Sequence, residues 1–249
     1  MRDIEDYAKK YQANDFELEY KVPYRRKHVL EIVEAFPHDS ILEIGCGLES
    51  LFSSVRNFKA GTVVEPSSDF AEKARAIKGV SVLHACLEDC IEDLQNERFD
   101  FIVLSALLHE VEQPINFLRL VHSLCSKETV VHINVPNANS FHRLLGLKCA
   151  VCNDVHELTE ANLRMQQHTV FDARALERVI RSAAEADGKE IDVISRGSWF
   201  VKPFTNGQMG KCLQSGAISP SILDGLDKMI EYMPNLGSEI YVNYQLIRN

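Results

Sequence analysis

The sequence predicts an α/β protein whose core is a doubly wound, mostly parallel sheet. Short apolar runs alternate with segments of helical periodicity from about residue 41 to residue 135. The first apolar run leads directly into a turn that contains two glycines, a common ligand-binding arrangement in open α/β sheets. Since helices connect successive parallel strands, we expect them to cover both faces of the sheet.

The elements follow in order along the chain. Apolar runs predict five parallel strands, at 41–44, 62–64, 80–84, 101–104 and 130–135. Helical patterns lie between them, at 49–57, 67–77, 90–95 and 114–124. The stretch 137–169 has no clear period, and Asp172 then caps a helix predicted over 173–186. The runs 191–195 and 239–247 predict a closing strand pair, which brings the sheet to seven strands.

The strand 41–44 carries Glu43 and ends in the turn Gly45-Cys46-Gly47. Without a Cβ atom, the two glycines can take positive φ and let backbone N–H groups face a ligand. Glu65 ends the next strand about 20 residues later, where doubly wound folds hydrogen-bond a ribose. These features predict a nucleoside-binding pocket.

A dinucleotide ligand is less well supported, because Ser50 stands where the dinucleotide motif has its third glycine. The Glu43 carboxylate also disfavours a polyanion and suits a cationic ligand. A nicotinamide-dependent oxidoreductase, using NAD or NADP, remains an alternative that would share Gly45, Gly47 and Glu65.

Together with the segment 99–114, FDFIVLSALLHEVEQP, these motifs resemble the class I S-adenosylmethionine-dependent methyltransferases over roughly 40–136. The resemblance implies a Rossmann-like sheet with an antiparallel C-terminal strand. It implies S-adenosyl-L-methionine as cofactor and S-adenosyl-L-homocysteine as product. It also implies cofactor contacts from the motif residues, with the adenine near 87–89: Glu43, Gly45, Cys46, Gly47, Glu65, Pro66, Leu87, Glu88 and Ser105.

The whole chain, 1–249, is expected to form one methyltransferase domain. We divide it into an N-terminal helical cover (1–37), a cofactor-binding core (38–136), a lid insertion (137–170) and a C-terminal part of the sheet (171–249). In the cover, Tyr11, Arg25 and Arg26 are candidates for the methionine end of the cofactor, since guanidinium groups pair well with carboxylates. Surface charges and helix-packing aromatics explain the same residues equally well.

Composition limits the partners and the compartment. The formal charge is −9 and the pI is near 5.5, which gives little attraction to nucleic acid. No run reaches the roughly 18 apolar residues of a membrane span, and the start lacks an apolar signal region, so we expect a cytoplasmic enzyme that binds no membrane. Monomer and homodimer both remain open.

The seven cysteines are odd in number and scattered, which favours reduced thiols over a disulfide framework. Cys149, Cys152 and His156 offer three zinc ligands, but structural zinc sites close with four, so we expect no metal.

Three histidines are candidate catalytic bases. His109 follows the fourth strand, while His156 and His168 belong to the lid insertion. An imidazole can accept a hydroxyl proton near neutral pH. His109 could instead only hydrogen-bond its own loop.

A set of polar and aromatic residues predicts the acceptor side, or else a solvated loop: Asn137, Asn139, His142, Arg143, Trp199 and Lys202. Here the sequence resembles methyltransferases of surface-polysaccharide and small-metabolite pathways. We expect methyl transfer to the oxygen of a small polar acceptor, such as a nucleotide-activated sugar or another polysaccharide precursor. A non-catalytic domain that keeps the cofactor fold is the remaining alternative.

Overall fold

A computed structural model describes residues 3–13 and 16–248 of the chain. Its sheet has seven strands in the order β3-β2-β1-β4-β5-β7-β6. The strands are β1 Ser40–Ile44, β2 Ala60–Val64, β3 Val80–Leu83, β4 Phe101–Ser105, β5 Val130–Pro136, β6 Lys189–Trp199 and β7 Glu239–Arg248. The first five are parallel, and β7 runs antiparallel to both β5 and β6. The predicted fold class is therefore confirmed.

The described part of the chain has ten α-helices. They are α1 Ile4–Gln12, α2 Val22–Glu34, α3 Ser68–Arg75, α4 Leu87–Leu94, α5 Pro114–Ser123, α6 Phe141–Lys148, α7 Glu160–Arg164, α8 Ala173–Glu185, α9 Asn206–Gln214 and α10 Ser221–Lys228. A π-helical turn, Glu17–Lys21, leads into α2, and 3-10 turns lie at Leu51–Ser53, Leu108–Glu110 and Met229–Glu231.

Alternate residues of the central strand β4 enter two separate apolar cores. Ile102 and Leu104 pack in one core with residues of α4, α5 and α8. Phe101 and Val103 pack in the other with residues of α2, α3 and α9. Because successive strand side chains point to opposite faces, a strand that is apolar throughout is covered on both sides. The sheet is thus the middle layer of the fold, and the carboxyl ends of its strands remain available for a ligand site.

The predicted helix over 49–57 is wrong, since only the 3-10 turn Leu51–Ser53 forms there. The backbone N–H of Leu51 donates to the Glu43 carboxylate at 2.9 Å, which fixes this turn against β1. Phe52 then fills the space over Gly61, where an added Cβ would come within 2.7 Å of its ring. Asn57 turns the chain toward β2 at a φ of 62°. These tertiary contacts leave no room for a longer helix.

Other boundaries also differ from prediction. The helix predicted over 90–95 begins at Leu87, where its apolar residues meet the core. The stretch 137–169, which shows no period in sequence, contains α6 and α7. Helices α9 and α10, between β6 and β7, were not predicted. The strand predicted over 191–195 extends to Lys189–Trp199.

No helix in the described part of the chain is both long enough and apolar enough to cross a membrane. Among the same residues, no three His, Cys, Asp or Glu side chains are grouped so that they could hold a metal ion. All seven cysteines are free thiols.

Candidate active site

A cavity of about 1180 Å³ opens at the carboxyl ends of the parallel strands. Its walls come from the turns after β1, β2, β4 and β5, from α1 and α2, from the segment 137–170, and from the start of α9. Open α/β sheets bind ligands at this edge, because the chain reverses there and leaves a crevice between loops.

The glycine turn after β1 forms one end of the cavity. Gly45 has a φ of +75° and Gly47 a φ of +60°, which L side chains rarely adopt. A Cβ on Gly45 would lie 3.3 Å from a methyl group of Leu107, and one on Gly47 would lie 3.8 Å from the Tyr11 hydroxyl. Glycine thus gives the backbone a conformation in which it can face a bound molecule.

Glu65 lies at the end of β2, beside this turn, and is 4% exposed. Its carboxylate accepts the N–H of Ser67 at 2.9 Å and the N–H of Gly47 at 3.2 Å. Burial raises the pKa of Glu65, and these hydrogen bonds oppose the rise. The carboxylate is therefore held in place at the cavity wall, next to Pro66.

Glu43 has a structural function that the sequence did not reveal. Its carboxylate accepts the Ser50 hydroxyl at 2.5 Å and the Leu51 N–H at 2.9 Å. Burial raises the pKa of Glu43 to about 7, against the effect of these hydrogen bonds. Glu43 lines the cavity while it also fixes the turn that follows the glycines.

The other predicted cofactor residues divide into two groups. The cavity wall includes Cys46, Ser105, Tyr11, Arg25 and Arg26. Leu87 is instead buried in the core and Glu88 is exposed, and both lie outside the cavity. Both residues belong to the first turn of α4, in which Leu87 packs into the core.

The two arginines already have protein partners. Arg26 donates to the backbone carbonyl of Glu49 at 2.7 Å and forms an ion pair with its carboxylate at 2.5 Å. Arg25 donates from Nε to both carboxylate oxygens of Glu239 at 2.9 Å, and from Nη2 to Glu17 at 2.6 Å. Arg25 therefore belongs to a buried ion cluster.

The ion cluster joins the N-terminal cover to the start of β7. Lys21 completes it, with its ammonium 2.9 Å from Glu239 and 3.3 Å from Glu17. Burial alone would raise the pKa of both carboxyl groups. The cations Lys21 and Arg25 outweigh burial and bring the pKa of Glu17 down to about 2 and that of Glu239 well below its usual range. The two carboxyl groups are therefore ionised at neutral pH.

Lys202 extends this cluster into the cavity. Its ammonium donates to the side-chain oxygen of Asn206, which in turn donates to Glu17 at 2.8 Å. Lys202 is 5% exposed. Burial, with the nearby Lys21, lowers its pKa to about 7.

His142 and Arg143 line the same end of the cavity, at the start of α6. Arg143 donates to the carbonyls of Val155 and Glu157, at 2.8 and 2.7 Å, and so ties α6 to the following loop. Burial first, and then Lys202, Lys21 and Arg143, lower the pKa of His142 to about 2. His142 is thus a neutral hydrogen-bonding group at physiological pH.

Of the three predicted catalytic histidines, the structure places only His109 at the cavity. It is buried in the 3-10 turn after β4, with Nε2 3.8 Å from the Glu110 carboxylate. That carboxylate accepts the Tyr7 hydroxyl at 3.0 Å.

His156 and His168 are exposed and lie outside the cavity. The His156 ring lies between Asp154 and Asp172, with its nitrogens 3.3 and 3.2 Å from their carboxylate oxygens. The backbone N–H of His168 donates to the His109 carbonyl at 3.0 Å.

Two of the predicted substrate residues also lie elsewhere. Trp199 is buried between His28 and Tyr241, with ring centroids 5.2 and 5.0 Å away, and does not reach the cavity. Asn139 is likewise absent from the cavity wall. Asn137 does line it, but its amide donates to the carbonyl of Gly237 at 2.9 Å.

Sequence reasoning missed Glu17, Lys21 and Glu239. One readable signal was the spacing of Glu17, Lys21 and Arg25, which places opposite charges on one helical face at intervals of four residues. Nothing in the sequence around Glu239 indicates its cationic partners, which come from more than 200 residues away.

Comparison with known families identifies the fold. Residues 18–183 match the family described as a methyltransferase domain. The chain belongs to this family. As a class I methyltransferase domain it uses S-adenosyl-L-methionine as its cofactor. Its own site fits that molecule, since a fixed carboxylate, Glu65, stands beside a glycine turn that admits a ligand. The oxidoreductase alternative is not favoured.

Solved structures of other methyltransferases share the fold of this methyltransferase domain. The plantazolicin methyltransferase BpumL, in complex with a monoazolic desmethylPZN analogue and SAH, is 14% identical with a TM-score of 0.61 and covers 97% of this chain and 90% of its own. A Thermotoga maritima protein described as a possible histamine N-methyltransferase is 18% identical with a TM-score of 0.62, covering 97% and 98%.

A third structure is a Haloferax volcanii protein, provisionally described as a methyltransferase, in complex with the Trm112 methyltransferase activator. It is 13% identical with a TM-score of 0.62, covering 98% of each chain. A search of curated proteins gave no significant sequence match.

Proposed function

We propose that this methyltransferase transfers a methyl group to the oxygen of a small polar acceptor. The observation that carries the proposal is the extent of the cavity, which runs from the glycine turn to the polar groups around Lys202 and His142. Its volume of about 1180 Å³ exceeds the roughly 300–1,000 Å³ of ordinary small-molecule pockets. The cavity therefore has room for a cofactor and an acceptor together.

The reaction asks little of the protein. When bound, the cofactor supplies a methyl group that its sulfonium has already activated. The chain must align the acceptor, exclude water and, for an oxygen acceptor, remove a proton. Among the three histidines predicted from sequence, His109 is favoured as the base because it alone lines the cavity.

We assign the exclusion of water to the segment 137–170, acting as a lid, and to α1. Gln166 joins the two: its side-chain oxygen accepts the Asp3 N–H at 2.9 Å, and its amide donates to the Asp3 carbonyl at 2.9 Å. The N–H groups of His168 and Thr169 fix the end of the lid to the His109 carbonyl. These contacts hold the segment 137–170 against the start of α1 and the turn after β4.

A nucleotide-activated sugar or another polysaccharide precursor is our preferred acceptor class. Cationic and neutral polar groups at the Lys202 end of the cavity support it, because such precursors carry phosphates and hydroxyls together. Of the structural neighbours named above, one is described as a plantazolicin methyltransferase and one as a possible histamine N-methyltransferase. The working unit is proposed to be a monomer or a homodimer.

The test measures the transfer of an isotope-labelled methyl group from S-adenosylmethionine to pools of sugar nucleotides, sugar phosphates and hydroxy acids. We expect one pool to gain label on oxygen, and the Glu65→Ala variant to lose that transfer. Label on nitrogen would contradict O-transfer. Cofactor binding without transfer to any pool, including crude small-molecule extracts, would favour a non-catalytic cofactor-binding domain.

A further inference from the structure

Four cations gather at the end of the cavity around Lys202 and His142, which we call the acceptor end. Arg143 lies near Asp154 and Glu157, whereas Lys21, Arg25 and Lys202 lie around the two carboxylates Glu17 and Glu239. Both carboxylates are already used within the ion cluster by Lys21 and Arg25.

Lys202 is the cation whose charge has no carboxylate partner in this arrangement. Within the described residues, no carboxylate lies within 4.0 Å of its ammonium, whose side-chain partner is the neutral amide of Asn206. A buried ammonium without a counterion is unfavourable, because it loses its hydration and gains no ion pair. Since its side chain lines the cavity, an anion bound there would restore the balance.

Arg143 and His142 can share such an anion. Both line the same end of the cavity as Lys202. The charge of Lys202 lowers the pKa of His142, and the charge of Arg143 lowers the pKa of Lys202, so the three groups are close neighbours. The guanidinium is fixed by two backbone carbonyls, so it would present its remaining N–H groups without losing much side-chain entropy.

This end and the glycine turn lie at different strands. The turn follows β1, whereas the ion cluster joins β7, three strands away in the order β1-β4-β5-β7. Strands lie about 4.8 Å apart, so β1 and β7 are roughly 14 Å apart along the sheet. Tyr11 lies between the two ends, since a Cβ on Gly47 would be 3.8 Å from its hydroxyl and the charges of Arg25 and Glu239 act on its pKa. The carboxylate-rich end around Glu43 and Glu65 suits a cationic sulfonium, and the cationic end suits a second, anionic molecule.

We propose that Lys202, together with Arg143 and His142, binds an anionic group of the methyl acceptor, a phosphate or a carboxylate. The proposal rests on the methyltransferase function proposed above and narrows its substrate to an anionic small molecule. Lys202 then selects acceptors by charge, and the reacting oxygen lies between this subsite and the cofactor.

The binding of an anion should be linked to proton uptake. Burial and Lys21 lower the pKa of Lys202 to about 7, with Arg143 acting in the same direction and Glu17 and Glu239 against it. A bound anion favours the charged lysine and raises this pKa. Above about pH 7 the free lysine is largely neutral, so an anion that binds must bring in a proton; near pH 6 the lysine already carries it.

The test uses the full chain saturated with S-adenosyl-L-homocysteine and two probes that do not titrate near neutral pH. Sulfate stands for a phosphate group and acetate for a carboxylate, so the preferred probe distinguishes the two. Isothermal titration at pH 8 in buffers of different ionisation enthalpy gives affinity and proton uptake. We expect saturable binding of one probe, with uptake approaching about one proton at pH 8 and little at pH 6.

Variants test whether Lys202 is responsible for the anion binding and the proton uptake. Lys202→Met should weaken probe binding at least roughly tenfold, abolish the proton uptake, and leave the affinity for S-adenosyl-L-homocysteine unchanged. Lys127→Met, a lysine whose side chain is 80% exposed and far from the charge cluster, is the matched control and should behave like the wild type.

Several results would overturn the proposal. These are no saturable binding of either probe, wild-type binding without proton uptake, or equal binding to Lys202→Met. A loss of S-adenosyl-L-homocysteine affinity in Lys202→Met would assign the lysine to the cofactor carboxylate instead. If the wild type fails to bind S-adenosyl-L-homocysteine at all, the methyltransferase function itself fails, and that outcome is seen before any probe is added.

Discussion

At the scale of single residues, we propose that Glu65 is the group on which cofactor binding most depends. Its carboxylate is positioned by the N–H groups of Gly47 and Ser67, so it is fixed before any ligand arrives. A fixed acceptor loses little entropy when hydroxyl groups donate to it. The turn and the carboxylate therefore form one preorganised unit.

Glu65→Ala should weaken S-adenosyl-L-homocysteine binding by roughly tenfold or more, because hydrogen bonds to a charged group contribute about 1.5–3 kcal/mol. Calorimetric titration measures the change. Glu88→Ala is the matched control, since Glu88 is exposed and outside the cavity. Equal affinities for the two variants would show that Glu65 does not contact the cofactor.

His109 gives the corresponding prediction for catalysis. His109→Ala should lower turnover of the acceptor by roughly a hundredfold, the size of a general-base contribution, with cofactor affinity nearly intact. His156→Ala and His168→Ala, whose side chains are exposed outside the cavity, should turn over normally. Normal turnover by His109→Ala would mean that another group removes the proton or that none is needed.

Sequence reasoning selected His109 because it follows the end of a strand. In a parallel sheet, the residues that follow the strands lie at the edge where the site opens. It also selected His156 and His168, in the lid segment, and Trp199, at the end of β6. These three lie outside the cavity, because position along the chain does not determine side-chain direction. The ion cluster was missed for a related reason. Arg25 and Glu239 are 214 residues apart, and neither local sequence indicates the other.

At the scale of elements, the junction of β6 and β7 supports the acceptor end of the cavity. Gly237 precedes β7, and an added Cβ would lie 2.5 Å from the backbone oxygen of Trp199 at the end of β6. The Glu239 side chain, which anchors the ion cluster, follows two residues later. Close backbone contact thus determines where the cluster begins.

Gly237→Ala should destabilise the fold by about 1–3 kcal/mol, because the backbone of two strands must separate to admit the methyl group. The comparison is Gly225→Ala in α10, where a Cβ meets nothing within 4 Å and helix propensity should add about 0.5–1 kcal/mol. Urea unfolding of both variants tests this. The idea fails if Gly237→Ala is as stable as the wild type.

The parallel strands were predictable because they are continuous apolar runs, covered on both faces. Helices α7 and α9 were missed, although each begins with a capping box, Thr159 with Asn162 and Thr205 with Gln208. Their weak apolar periodicity concealed them. The false helix over 49–57 has the opposite cause, since contacts with Glu43 and Gly61 override local propensity.

At the scale of the whole molecule, buried histidines determine how stability responds to acid. Burial lowers the pKa of His122 and of His132 to about 4, and of His142 to about 2. The unfolded chain therefore binds more protons than the folded chain below about pH 6.5, and stability falls as pH falls. Glu43, whose pKa burial raises to about 7, acts in the opposite direction over part of this range.

Burial raises the pKa of Glu65 as well, with an effect of the same sign as that of Glu43. Because three such histidines outweigh Glu43 and Glu65, the free energy of unfolding should decrease between about pH 6.5 and pH 4. His122→Gln should reduce the slope by up to one proton, or about 1.4 kcal/mol per pH unit. Urea unfolding across this range measures the slope, with the exposed His168→Gln as control. A wild-type slope of zero, or an unchanged slope in His122→Gln, would contradict the assignment.

The cavity has a carboxylate end beside the glycine turn and a cationic end beside β7. We propose that the two ends together form one site for methyl transfer. Calorimetric titration of the folded wild-type chain with S-adenosyl-L-homocysteine, and in parallel with NAD and NADP, tests that assignment most directly. We expect one-to-one, saturable binding of S-adenosyl-L-homocysteine and no binding of either dinucleotide. Binding of NAD or NADP, or a folded chain that does not bind S-adenosyl-L-homocysteine, would contradict it.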